Sequence, residues 1–141
     1  MKNFDLTLAL QIAGVLHLGL ICAGALMPRT VNLRQHISSL PPFIRRLFWV
    51  YYTFIGLCLV SFGLLSVTFA DVLADRSNLA RAVCAFLAVF WLVRLIVALF
   101  VFDMRPYLTN TFRRIGYQAT NIVFACLPVI YAWAAWKGGR L

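Results

Sequence analysis

The sequence predicts an all-α membrane protein, four transmembrane helices in one antiparallel bundle with short interfacial helices in the loops after the first and third spans. Three observations predict it. The 141 residues are 63% hydrophobic and only 12% charged, too few charged groups to coat a soluble globule of this size. Mean hydropathy is +0.88. The apolar residues also gather into four segments, 6–27, 47–70, 79–102 and 116–136, each of about 20 residues or slightly more, enough to cross about 30 Å of hydrocarbon.

A bilayer offers no hydrogen bonds to exposed backbone, so spanning segments of this length are helices; a barrel would need shorter strands of alternating polarity. The polar stretches between spans are about 8 to 19 residues long, short of the roughly 50 that a separate domain needs. Residues 1–141 therefore form a single domain. In the first span, Lys2, an apolar run and Ala23-Gly24-Ala25 imitate a signal peptide. The run is long, however, and carries Gln11 and His17, so a retained helix is expected.

In the loop after the first span, Leu33, Ile37 and Leu40 are spaced i, i+4 and i+7, the pattern of a short helix lying in the membrane interface. Pro42 is suited to the first turn of the second span. In that span Thr53, Gly56, Val60, Gly63 and Val67 form a stripe of small and β-branched residues suited to close helix packing. Leu108, Phe112 and Ile115 repeat the interfacial pattern after the third span, with Pro106 at its start. His17 precedes Met27-Pro28-Arg29 by ten residues and Arg94 precedes Met104-Arg105-Pro106 by ten, a correspondence that two helix pairs related by an axis along the membrane normal would produce. Pro128 breaks the hydrogen-bond ladder of the fourth span and frees the Phe124 carbonyl. Tyr131, Trp133 and Trp136 fit an interfacial aromatic anchor.

The net charge of +9 suits anionic lipid rather than nucleic acid, because it is distributed by loop. The loops after the first and third spans hold Arg29, Arg34, Arg45, Arg46, Arg105, Arg113 and Arg114 against Asp103 alone, and the other side holds Lys2, Arg76, Arg81, Lys137 and Arg140 beside Asp5, Asp71 and Asp75. The positive-inside rule then places those two loops in the cytoplasm, touching anionic lipid, with both termini outside a cell membrane.

Chemistry concentrates at one depth. At about 1.5 Å per residue, His17 and Arg94 lie roughly 14 or 15 Å from the cytoplasmic ends of their helices, near the bilayer centre. Tyr52 and Thr53 of the second span and Tyr117, Gln118 and Asn121 of the fourth occupy the layers between them and the cytoplasmic surface. A polar cavity open toward the cytoplasm is expected, with His17 and Arg94 at its floor. An arginine at this depth costs from about 2.5 to more than 10 kcal/mol and needs compensation. All four acids lie outside the middle of the spans, so its compensation is sought in tyrosine, amide and carbonyl groups, in stacking on Trp91 at i−3, in snorkelling toward the cytoplasm, or in an anion from a ligand, lipid or neighbouring subunit. A neutral His17 beside it suits a carbonyl, quinone head group or carboxylate.

The sequence offers no catalytic constellation and no metal site. Cys22, Cys58, Cys84 and Cys126 fall in four different spans without CxxC spacing and read as free thiols. No cofactor is predicted: a bis-histidine haem needs a second imidazole, and His36 sits in a loop. Two functions are compatible with this pattern. One is a non-enzymatic component of a membrane assembly, with a membrane-protein partner or a second copy of the chain. The other is a carrier or quinone-linked enzyme for a small anionic, quinone or lipid-like ligand.

Overall fold

The computed structural model describes residues 4–75, 77–101 and 110–137. The protein is an all-α membrane bundle. Its long helices are α1 (Phe4–Thr30), α3 (Pro42–Thr68), α5 (Asn78–Phe100) and α6 (Thr111–Lys137), and two short helices, α2 (Leu33–Ser38) and α4 (Ala70–Leu73), lie in the connections. All four long helices are apolar and long enough to cross a membrane. The expected interfacial helix after the third span falls mainly on residues 102–109, outside the described residues, as do Met104, Arg105 and Pro106 of the expected repeat. Phe112 and Ile115, from the same pattern, belong to the first turns of α6 and are exposed.

The local sequence accounts for the breaks. Chain direction changes after α1 at Asn32, which takes a left-handed φ of 48°, a conformation that asparagine tolerates better than most residues. Ile37 of α2 is buried and Leu33 half-buried, but Leu40 is exposed, departing from the expected three-residue apolar face. The helix stops at Ser38 because Pro41 and Pro42 follow, and residues before proline are driven out of the α region. Pro42 opens α3 as expected. Phe69, with φ −112° and ψ 25°, separates α3 from α4. Ser77 then caps α5, its hydroxyl accepting the Ala80 N–H at 3.1 Å.

The core is built from seams that repeat every three and four residues. On α1 these are Leu6, Leu10, Ala13, His17 and Leu20; on α5, Ala80, Cys84, Leu87 and Trp91; on α6, Phe124, Leu127, Tyr131 and Ala134. Gly63, Ser66, Ala70 and Leu73 continue the pattern across the α3–α4 break. An average of 3.5 residues is the spacing at which one helix stripe keeps facing its neighbours in a left-handed bundle. The helices associate chiefly as two pairs, α1 with α3 and α5 with α6, joined through α1 and α6.

Glycines set the first pair. A Cβ at Gly14 would collide with Val67 Cγ2 and lie 2.9 Å from the Gly63 carbonyl oxygen, and one at Gly63 would lie 3.0 Å from His17 Cβ. The expected small-residue stripe is therefore in contact at Gly63 and Val67. At Gly56 an added Cβ would meet nothing within 4 Å, and Thr53 and Val60 are exposed. Thr7 also donates to Asp71 at 3.3 Å, tying the start of α1 to α4.

Tyr131 corrects the expected aromatic anchor. It is fully buried and shares a 2.5 Å hydrogen bond with Ser66, because its position on the α6 seam turns it inward. Trp133 and Trp136 remain exposed, and Lys137 Nζ lies 4.7 Å from the Trp133 ring. Tyr131→Phe removes the hydroxyl that bridges α6 to α3 and is expected to destabilise the bundle by about 0.6–1.7 kcal/mol, from the average to the largest value measured for interhelical hydrogen bonds in a membrane protein. A denaturant titration in detergent measures the loss; in a Ser66→Ala background the same change should have little further effect.

Candidate functional site

The site grows from the seams. His17 follows Ala13 by one turn on α1, and its Nδ1 lies 2.6 Å from the Ala13 carbonyl oxygen. A carbonyl only accepts, so Nδ1 carries the proton and donates it; in the neutral ring Nε2 is then left as an acceptor. The ring is fully buried, with Gly63 behind its Cβ. Trp91 meets it edge-on at a centroid separation of 5.1 Å, and Tyr131 at 6.4 Å. Two nitrogens at this point, His17 Nε2 and Trp91 Nε1, are buried without a hydrogen-bond partner among the described residues. They differ in kind: the neutral histidine nitrogen accepts and the indole nitrogen donates.

Arg94 lies one turn along α5 from Trp91 and is half-buried. Its guanidinium carbon is 4.9 Å from the centroid of Phe124, and Phe124 stacks on Trp91 at 5.8 Å and 27°. His17 and Arg94 are thus connected through two aromatic rings. Stacking on Trp91 is one of the options the sequence offers for Arg94. Phe124 supplies the observed cation–π contact, and Trp91 lies on the next ring inward. Such contacts contribute about 0.5–2 kcal/mol, more where water is excluded.

The other expected site residues divide by seam position. Tyr52, Tyr117 and Asn121 are half-buried and continue the inward rows, Tyr52 four residues before Gly56, and Tyr117 and Asn121 seven and three residues before Phe124. Tyr52 donates its hydroxyl to the Gly24 carbonyl, holding α3 against α1. Thr53 and Gln118 are exposed. Each is one residue past an inward position, and one residue turns a helix by about 100°, which carries the side chain off the seam. The Thr53 hydroxyl instead donates to the Trp49 carbonyl of its own helix at 2.9 Å.

Sequence reasoning missed Gly14, Ser66 and the inward role of Tyr131. The signal that finds them is the alternating three- and four-residue spacing, which continues through polar and small residues as well as leucines. All four cysteines are free thiols, and only Cys84 is buried. Among the described residues no group of three His, Cys, Asp or Glu side chains could hold a metal.

Burial along the seams is uneven. Toward the α4 end every seam is closed. Toward the α2 end, past Leu20 on α1 and Phe124 on α6, inward positions become half-buried: Gly24, Tyr52, Gly56, Tyr117 and Asn121, with Arg94 at the transition and Ala98 as the exception. The half-buried polar residues Tyr52, Arg94, Tyr117 and Asn121 lie on this more open half, whereas Ser66 and Tyr131 pair within the closed one. No protein-family model, curated protein or solved structure matches the chain.

Proposed function

We propose that this integral membrane protein is a non-enzymatic component of a membrane assembly, and that the partner docks against the open half of the bundle. The observation that carries the reading is the change in burial along continuous seams. Tyr52, Arg94, Tyr117 and Asn121 occupy inward positions that a lone bundle leaves half-covered. Polar side chains at membrane depth are costly in contact with hydrocarbon and favourable when another helix or a polar group covers them. In this reading they form the polar layer expected above His17 and Arg94, with Arg94 at its inner limit and His17 fully buried behind Trp91. By the positive-inside rule this layer opens to the cytoplasm of the cell membrane.

Copurification in mild detergent followed by native mass spectrometry tests this. A stable partner subunit, or a second copy of the chain, is expected, with an intramembrane acid or amide suited to Arg94 and Asn121. A single copy holding an endogenous small molecule overturns it. That outcome belongs to a second reading, a carrier or quinone-linked enzyme for an anionic, quinone or lipid-like ligand. Buried His17 Nε2 and Trp91 Nε1, each without a hydrogen-bond partner among the described residues, favour this alternative, because a polar ligand would supply a donor to the first and an acceptor to the second.

A further inference from the structure

A second site lies away from the bundle interior and does not depend on the proposed function. Between α2 and α3 is a groove of about 380 Å³ lined by Arg34, Ile37, Ser38, Arg45 and Trp49. Its shape follows from the connection. Buried Ile37 fixes α2 against the bundle, extended Pro41 reverses the chain, and Pro42 starts α3 at once. Arg34 in the first turn of α2 and Arg45 in the first turn of α3 consequently line the same groove.

Charge and position suggest the occupant. From Arg29 to Arg46 the chain carries four arginines and no acid, so no nearby carboxylate within this segment competes for the two guanidiniums. The Ser38 hydroxyl donates to the Gln35 carbonyl at 2.6 Å, which leaves anion recognition to the arginines. Trp49 belongs to an aromatic cluster with Phe48 and Tyr52, at ring separations of 5.7 to 6.1 Å. Aromatic residues near the end of a spanning helix mark headgroup depth. Guanidinium groups bind phosphate oxygens in a planar, two-pronged geometry.

We infer that this groove binds an anionic phospholipid, its phosphate held between Arg34 and Arg45 and an acyl chain running past Ile37 and Trp49. The apolar lining favours a lipid over a free phosphate ion. Arg81, beside Trp136 in a second groove at the opposite end of the bundle, supplies an internal control of equal charge.

The test uses the full chain in mild detergent, titrated with phosphatidylglycerol or phosphatidylcholine and read by native mass spectrometry. Phosphatidylglycerol should be retained at least about ten-fold more tightly, and Arg34→Gln and Arg45→Gln should each weaken it by about five-fold. Arg81→Gln should leave this binding intact. Both groove arginines are exposed, so circular dichroism should show unchanged helix content. Equal retention of phosphatidylcholine, or an equal loss in Arg81→Gln, overturns the proposal in favour of headgroup-blind or diffuse attraction. Displacement by an equal concentration of inorganic phosphate would identify a free-anion site and also overturn it. The unmodified chain gives a separate reading: raising salt from about 0.05 to about 0.5 M should weaken phosphatidylglycerol retention several-fold, and salt-insensitive retention counts against the arginine pair.

Discussion

Trp91→Ala is expected to lower the stability of the bundle by about 3 kcal/mol, the low end of the range for deleting a buried aromatic side chain. Trp91 is 1% exposed and touches His17, Phe90 and Phe124 through ring contacts of 5.1 to 5.8 Å. The lower figure applies because helices separated within a bilayer still have lipid around their apolar groups. What is lost is packing, with little of the transfer term that dominates in water. Removing the indole also strips His17 and Phe124 of their shared neighbour, so the effect reaches both helix pairs. Denaturant titration in detergent measures it. Trp91→Phe separates the two contributions of the side chain: it keeps most of the ring contacts and deletes the N–H. A Phe variant as unstable as the Ala variant would show that the nitrogen matters more than the packing described here.

Gly14→Ala should destabilise by about 1–3 kcal/mol, the usual cost of overpacking, although alanine is the better helix former by about 1 kcal/mol. The new methyl would press on the Gly63 carbonyl oxygen at 2.9 Å as well as on Val67. Rotation of Val67 could relieve one contact; the backbone oxygen can yield only if α1 and α3 separate. Gly19→Ala, on the same helix with nothing within 4 Å of its added Cβ, serves as the control and should be neutral or stabilising. If the two substitutions behave alike under thermal unfolding, close approach of α1 and α3 is not what determines stability at Gly14.

The span count was legible because apolar length is a summed property of about 20 residues; single exceptions such as His17 or Arg94 do not hide it. Which residues face inward was legible only in part. Tyr117 and Asn121 lie four apart on the α6 seam, whereas Gln118 is three from Asn121 and one position off that row, and sequence reasoning grouped all three. The seam itself is masked in a chain this apolar, since lipid-facing and core-facing residues have the same composition. In a water-soluble helix polarity would have separated them. Tyr131 shows the same limit: a tyrosine near a helix end fits both an interfacial anchor and a buried hydrogen-bonding residue. Only its place in the three-and-four register with Phe124, Leu127 and Ala134 decides between them.

The uneven closure of the bundle also makes it a lever. The α1–α3 pair and the α5–α6 pair are fastened together near the α4 end, where Ser66 of α3 meets Tyr131 of α6. Tyr117 lies fourteen residues from Tyr131, about 21 Å along α6. A rotation of one pair against the other by about 5° about that fastening would move Tyr117 by about 2 Å while hardly disturbing the Ser66–Tyr131 contact. A small adjustment at the tight end would therefore become a larger displacement at the other, where the arginine-rich connection lies.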